Sequence, residues 1–175
     1  GGSKPVHFSP TETLPGPPTT PNTVSDHYKT TFLVKYDTNG QFVWKRALQG
    51  DVAADNSESW IYDVITDSND NVHLIVGLLY GTHLNNTVTV PSQYNIISNP
   101  STGKRTHRYK YYLVRYNSSG QLLGSMELPL DYGAILAQPS TTFKFDEARN
   151  RYYIAGFRWW FYPNEHLSLS YGGTA

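Results

Sequence analysis

The chain has 175 residues, with 14 lysines and arginines against 14 aspartates and glutamates, so its formal net charge is zero. That balance excludes the basic excess that drives nucleic-acid binding. The longest apolar run, residues 74–80, contains a glycine and falls far short of the roughly 18 residues of a membrane helix. Cysteine is absent, which excludes a disulfide framework, a thiolate metal site and a cysteine nucleophile. Absent cysteine does not assign a compartment.

The chain opens Gly1-Gly2-Ser3 and holds one methionine, Met126. A missing signal or upstream segment is the expectation, and a tag remnant would explain the same start. Val6-His-Phe8 is a short alternating stretch. Residues 9–22 carry Pro10, Pro15, Pro17, Pro18 and Pro21 among threonines and favour extended backbone in a loop or stalk. Phe32, Val34 and Tyr36 then alternate with Leu33 and Lys35, which predicts a strand. Asp37-Thr-Asn-Gly40 is a turn signal, because Asn and Gly tolerate positive φ. The chain resumes over residues 41–48 with Phe42, Val43 and Trp44, completing a hairpin. Residues 60–65 and 72–79 form a second hairpin around a turn at residues 68–71. Residues 93–108 read as a loop with a small basic cluster, Lys104, Arg105 and Arg108, which is a solvated loop in the preferred reading and a contact for an anionic partner in the other. Further strands follow at residues 111–116, 121–128, 141–145 and 151–157. No window shows a 3.6-residue apolar period, so the class is all-β.

Self-comparison organises these elements. The string from Phe32 to Gln41 matches that from Tyr112 to Gln121, 80 residues on, with every paired position identical or chemically close. The string from Asp67 to Gly77 matches that from Asp146 to Gly156, 79 residues on. Val6-His-Phe8, Val88-Thr-Val90 and Leu167-Ser-Leu169 form a weaker third echo. Two copies of an approximately 80-residue unit, each with four antiparallel strands, follow the grammar of β-propeller blades. A plain β-sandwich is the alternative, but it leaves the repeat unexplained. The expected divisions are a terminal strand of a preceding blade at 1–10, a Pro/Thr-rich loop at 11–27, a blade at 28–92, a loop at 93–108 and a blade at 109–175. Two blades do not close a ring, since propellers use about four to eight. Either a longer polypeptide completes the ring, the favoured expectation, or several chains close it as a symmetric oligomer.

The string Phe-Leu-Val-Lys-Tyr-Asp-x-x-Gly-Gln-x-x-Trp at residues 32–44 resembles the opening of the bacterial SBBP β-propeller repeat, as does the string at residues 67–77. The resemblance covers residues 28–90 well and 109–170 less well, with Gly124 standing at the place of Trp44. It implies a secreted or cell-surface bacterial protein, associated with the outer membrane and often from Bacteroidetes with type IX secretion. It brings no assigned catalytic motif.

Candidate chemistry is sparse. Asp67, Asn69 and Asp70 offer hard oxygens to Ca²⁺, yet the EF-hand spacing is absent and copy two has Ala148 and Arg149 at the places of Asn69 and Asp70. A turn whose Asx side chains cap local backbone is the preferred reading. The six histidines are scattered, and His73 reads as a strand residue. Ser125 lacks the flanking pattern of a hydrolase nucleophile. Asn85-Asn-Thr87 and Asn117-Ser-Ser119 match the glycosylation triplet, with little weight in a bacterial chain. Arg158-Trp-Trp-Phe-Tyr162 is the richest local feature; Trp159, Trp160 and Tyr162 would stack on sugar rings or a partner, or else pack between blades.

Three function classes follow. The leading one is a non-catalytic surface or secreted propeller that serves as a scaffold or protein-interaction module, without cofactor or metal. Its partners would be other proteins of a surface assembly or further blades. The second is a carbohydrate-binding lectin. The third, ranked below both, is a propeller hydrolase or lyase.

Overall fold

A computed structural model of the chain describes residues 5–14, 31–48, 58–103, 105–130, 134–135 and 142–158. The protein is all-β, built from small antiparallel sheets. In chain order the strands are β1 (Val6–His7), β2 (Thr13–Leu14), β3 (Phe32–Tyr36), β4 (Phe42–Ala47), β5 (Ser59–Thr66), β6 (Val72–Leu78), β7 (Gly81–His83) and β8 (Val88–Val90). They continue with β9 (Ile96–Ser98), β10 (Arg105–His107), β11 (Lys110–Tyr116), β12 (Leu122–Glu127), β13 (Ala134–Ile135), β14 (Thr142–Asp146), β15 (Arg151–Ala155) and β16 (Phe157–Arg158). A single 3₁₀ turn, Glu147–Arg149, joins β14 to β15. No ring is closed among the described residues.

The largest sheet has four strands in the order β12-β11-β6-β5. It therefore differs from the expected grouping. It takes one hairpin from residues 28–92 and one from residues 109–175, while β3 and β4 form a separate two-stranded sheet. The reason lies in β6, whose seven residues are all buried. Such a strand needs cover on both faces as well as partners on both edges. One face carries Val72, Leu74, Val76 and Leu78, joined by Tyr112, Val114 and Tyr116 of β11. Trp44 and Leu48, from the β3–β4 hairpin, pack on it. The other face carries Ile75 with Tyr62, Tyr111 and Leu113, and receives Phe143, Tyr152 and Ile154 of the β14–β15 hairpin. The result is three stacked layers: β3–β4, the central sheet, and β14–β15.

The turns show how one layer seats on the next. Gly120 closes the β11–β12 turn at φ +78°, a region costly for residues with a Cβ. Trp44 and Arg46 lie against it so closely that a Cβ there would come within 2.8 Å of both side chains. The indole of Trp44 donates to the Ser118 carbonyl at 3.0 Å, and Arg46 Nε donates to the Gly120 carbonyl. Gly40 has the same conformation, φ +76°, in the β3–β4 turn, but no atom of the described residues lies within 4 Å of its Cβ position.

Three further expectations change. Residues 13 and 14, placed in a loop, pair with Val6 and His7. Residues 93–108 are not merely a loop, because β9 and β10 pair there, with Arg105 opposite Ser98. The second repeated block also shifts by one residue in space. Asp70 and Asn150, 80 residues apart, share the left-handed turn conformation at φ 60° and 52°. Tyr152 and Ile154 consequently face the core as Val72 and Leu74 do, while Arg151, Tyr153 and Ala155 are exposed. A one-residue slip exchanges the two faces of a strand.

Candidate functional site

Two buried polar arrays and one groove hold the chemistry. The first array begins in the β5–β6 turn. Asp67 Oδ1 accepts from the backbone N–H groups of Asn69 and Asn71, both at 2.9 Å. Asp37 and Asn117 do the same in their own turns. These are Asx turns, in which a short side chain replaces a backbone acceptor. Asp67 Oδ2 turns inward, accepting from Asn71 Nδ2 at 2.9 Å and lying 3.0 Å from His73 Nε2. His73 Nδ1 lies 2.6 Å from the Tyr152 hydroxyl, across the layer boundary. Burial opposes the Asp67 charge, but hydrogen bonds from Asn71, His73 and the turn amides outweigh it and hold the carboxyl down at about 2.

An aspartate, an imidazole and a phenol in line resemble a proton relay in outline, but His73 is 2% exposed and both its nitrogens are occupied. A general base must reach a substrate proton within about 2.6–3.2 Å. This imidazole instead ties β15 to the central sheet, its ring 4.8 Å from that of Phe145 and 5.6 Å from that of Tyr152. Ser68 assists, donating from its backbone and hydroxyl to the Glu147 carboxylate.

The calcium candidates do not converge. Asp67 faces inward, whereas Asp70 points to Lys35 with an N–O distance of 2.5 Å. Only backbone contact with Asp67 is seen for Asn69. Among the described residues no three His, Asp or Glu side chains gather as a metal site. Trp159, Trp160, Tyr162 and Lys104 lie outside the described residues. Of Arg105 only the backbone, in β10, is described. The Arg108 N–H donates to the Asn95 carbonyl at 3.0 Å, anchoring the end of the β9–β10 hairpin.

The second array was not foreseen. Glu58, just before β5, is buried; its Oε1 accepts from Tyr109 Oη at 2.9 Å, while Oε2 has no hydrogen-bond partner among the described residues and lies 3.6 Å from His107 Nε2. Burial, then the Glu58 charge, push the Tyr109 phenol upward; burial does the same to Tyr62. Tyr109 and Tyr62 close on Gly77, where a Cβ would meet each at 2.9 Å. No sequence motif marks this group, because Glu58 and Tyr109 are 51 residues apart.

The groove lies where β1–β2, β4 and the β11–β12 turn meet. It has a volume of about 460 Å³, and Phe8, Leu14, Phe32, Arg46, Asn85 and Gln121 are among the residues that line it. Asn85 belongs to a run of three left-handed residues, Leu84, Asn85 and Asn86, at φ 53°, 52° and 64°. Asparagine tolerates this conformation, but leucine does so at a cost of about 1–2 kcal/mol. Leu84 is held there by burial and by its N–H bond to the Leu48 carbonyl. Strain of this kind persists where the surroundings over-determine it, often beside binding sites. The Asn85-Asn86 pair was the available signal. No protein-family model, curated protein or solved structure matches the chain.

Proposed function

We propose that the chain is a non-catalytic, propeller-type binding and scaffold module of a secreted or cell-surface assembly, using the groove beside Asn85 as its contact site. The observation that carries this reading is the groove itself. Apolar residues and the amide-bearing Asn85 and Gln121 line one concavity, and Asn85 belongs to its left-handed turn. Concave sites with an apolar surface and a few placed polar groups suit ligand recognition. The stacking of like hairpins supports the propeller reading, since blades of a propeller also lie face against face. The resemblance of residues 32–44 and 67–77 to SBBP repeats supports a surface location. The principal titratable array, Asp67 with His73, is occupied in joining layers, which favours a scaffold over a hydrolase or lyase.

The same groove favours the lectin as a second reading, because planar apolar side chains beside amides suit sugar rings. Arrays of glycans and of extended peptides test both together. Peptide binding that is lost in Asn85→Gly and Gln121→Ala, with the fold intact, supports the interaction module. Glycan binding lost in the same variants moves the assignment to the lectin. Binding that survives both substitutions removes the groove from either reading.

A further inference from the structure

The three layers are unequal, and their inequality has a pattern. The central sheet is complete: β5–β6 supplies two strands and β11–β12 the other two, joined along β6 and β11. The outer layers are its two halves. β3–β4 repeats β11–β12 at a step of 80 residues, with glycines of matching φ in their turns. β14–β15 occupies the place of β5–β6 and shares its left-handed turn residue. Among the described residues β3 pairs only with β4, and β15 only with β14. The edges left unpaired among the described residues are the ones that β11 and β6 use on each other.

The faces agree with the edges. Tyr112, Val114 and Tyr116 are 6%, 0% and 3% exposed under Trp44. Their counterparts Phe32 and Tyr36 are 38% and 43% exposed, although Phe8 of β1–β2 stands 4.7 Å from Phe32. On the opposite flank of the molecule Met126 and Tyr153 are 51% and 55% exposed. Exposed edges of this kind template pairing with another chain.

We propose that β15 of one copy of this chain pairs antiparallel with β3 of a second copy, rebuilding the four-stranded sheet β4-β3-β15-β14 across the boundary. The inference rests on the repeat reading above and deepens it by naming a second copy as the partner. The register follows from β6–β11, where Val72 lies opposite Tyr116, His73 opposite Arg115 and Leu74 opposite Val114. Carried over by 80 residues, it sets Tyr152 opposite Tyr36, Tyr153 opposite Lys35 and Ile154 opposite Val34. In that register the Phe32, Val34 and Tyr36 face turns toward the face of the first copy's central sheet where Met126 stands exposed. Each copy offers one edge of each kind, so the association is head-to-tail and closes into a ring or runs on as a filament. With two sheets per chain, two to four copies give a ring of about four to eight sheets.

The chain has no cysteine, so cross-linking is clean. Lys35→Cys and Tyr153→Cys chains are mixed under oxidising conditions, and the mass of the unsubstituted chain is measured by light scattering. The expected result is a discrete multimer or a concentration-dependent series, with a cross-linked product only in the mixture. Lys35→Cys mixed with Arg151→Cys should give none, because a diagonal pair about 7–8 Å apart is beyond disulfide reach. Should either variant fail to fold, Val34→Cys with Ile154→Cys tests the same register. A monomer at all concentrations with intact β circular dichroism overturns the pairing, and shows the open edges to be covered by other strands or by solvent. A multimer that cross-links equally in the Arg151 control, or with Lys35→Cys alone, overturns the register. Phe32 lines the groove and also belongs to the face that turns toward the other copy, so the groove is decided separately by Asn85→Gly and Gln121→Ala, which lie outside β3 and β15.

Discussion

The two layer boundaries solve one packing problem in different ways. Between β3–β4 and the central sheet the contact is mostly aliphatic, with Leu48, Leu74, Val76, Leu78, Val90 and Val114 all at 0% exposure. Between the central sheet and β14–β15 it is aromatic and polar, built from Tyr62, Tyr111, Phe143 and Tyr152, the last bonded to the Asp67–His73 pair. Apolar burial contributes in proportion to area and does not depend on angle. A hydrogen-bonded array contributes less net energy but fixes geometry, because its members are costly when left unpaired. The first boundary should therefore dominate stability and the second should set alignment.

Removing Trp44 would test this most severely. Its ring fills the first boundary, rests on Gly120 and donates to Ser118. Trp44→Ala is expected to cost about 3–5 kcal/mol, read as a lowered midpoint in urea. A loss below about 1 kcal/mol would mean that the layers do not depend on this contact.

Next in size is a matched pair of glycine substitutions. Gly40 and Gly120 share one backbone conformation but not one environment. Gly40→Ala should cost about 1–2 kcal/mol from positive φ alone. Gly120→Ala should cost about 1–3 kcal/mol more, because Trp44 and Arg46 must move. Equal losses would show that the β11–β12 turn is not a seat for the neighbouring layer. A Gly40→Ala penalty that grows with protein concentration would indicate that a second copy covers the β3–β4 turn.

Much of this was legible in the sequence for a local reason. Alternation in Phe32–Tyr36 and the Asp-x-x-Gly turn after it are short-range signals, and both hairpins formed where expected. The Asx reading of Asp67 was likewise local, and its side chain caps the turn. What was not legible is how hairpins combine. The pairing of β6 with β11 spans an intervening stretch containing β7 to β10, and nothing in either strand states whether a neighbour lies beside it or above it. The 79-residue alignment did not give the faces of β15 for a related reason. Arg151-Tyr-Tyr-Ile-Ala155 is aromatic at both parities, so only the turn geometry decides which tyrosine faces inward. Glu58 and Tyr109 meet only after both hairpins have stacked.

The second boundary should show a smaller effect with a pH signature. Asp67 is held at about 2 in the fold, below its ordinary value of 3.8. A carboxyl depressed by folding adds stability that is full above its unfolded value and is lost as pH falls through the folded one. The acid limb of the stability profile between about pH 4 and 2 should therefore flatten in Asp67→Asn, measured by urea midpoint at each pH.

Tyr152→Phe probes the same array from the other layer and should be the mildest change. It keeps the ring that stacks at 4.5 Å on Phe145 and removes only the hydroxyl beside His73 Nδ1. The expected cost is about 0.5–1.5 kcal/mol, the net worth of one hydrogen bond. Its informative readout is local. If the array aligns the layers, amide exchange should rise in β14 and β15 while β3 and β4 stay protected. A uniform rise would mean that the two boundaries share one cooperative unit, and the division of labour between aliphatic and polar contacts would fail.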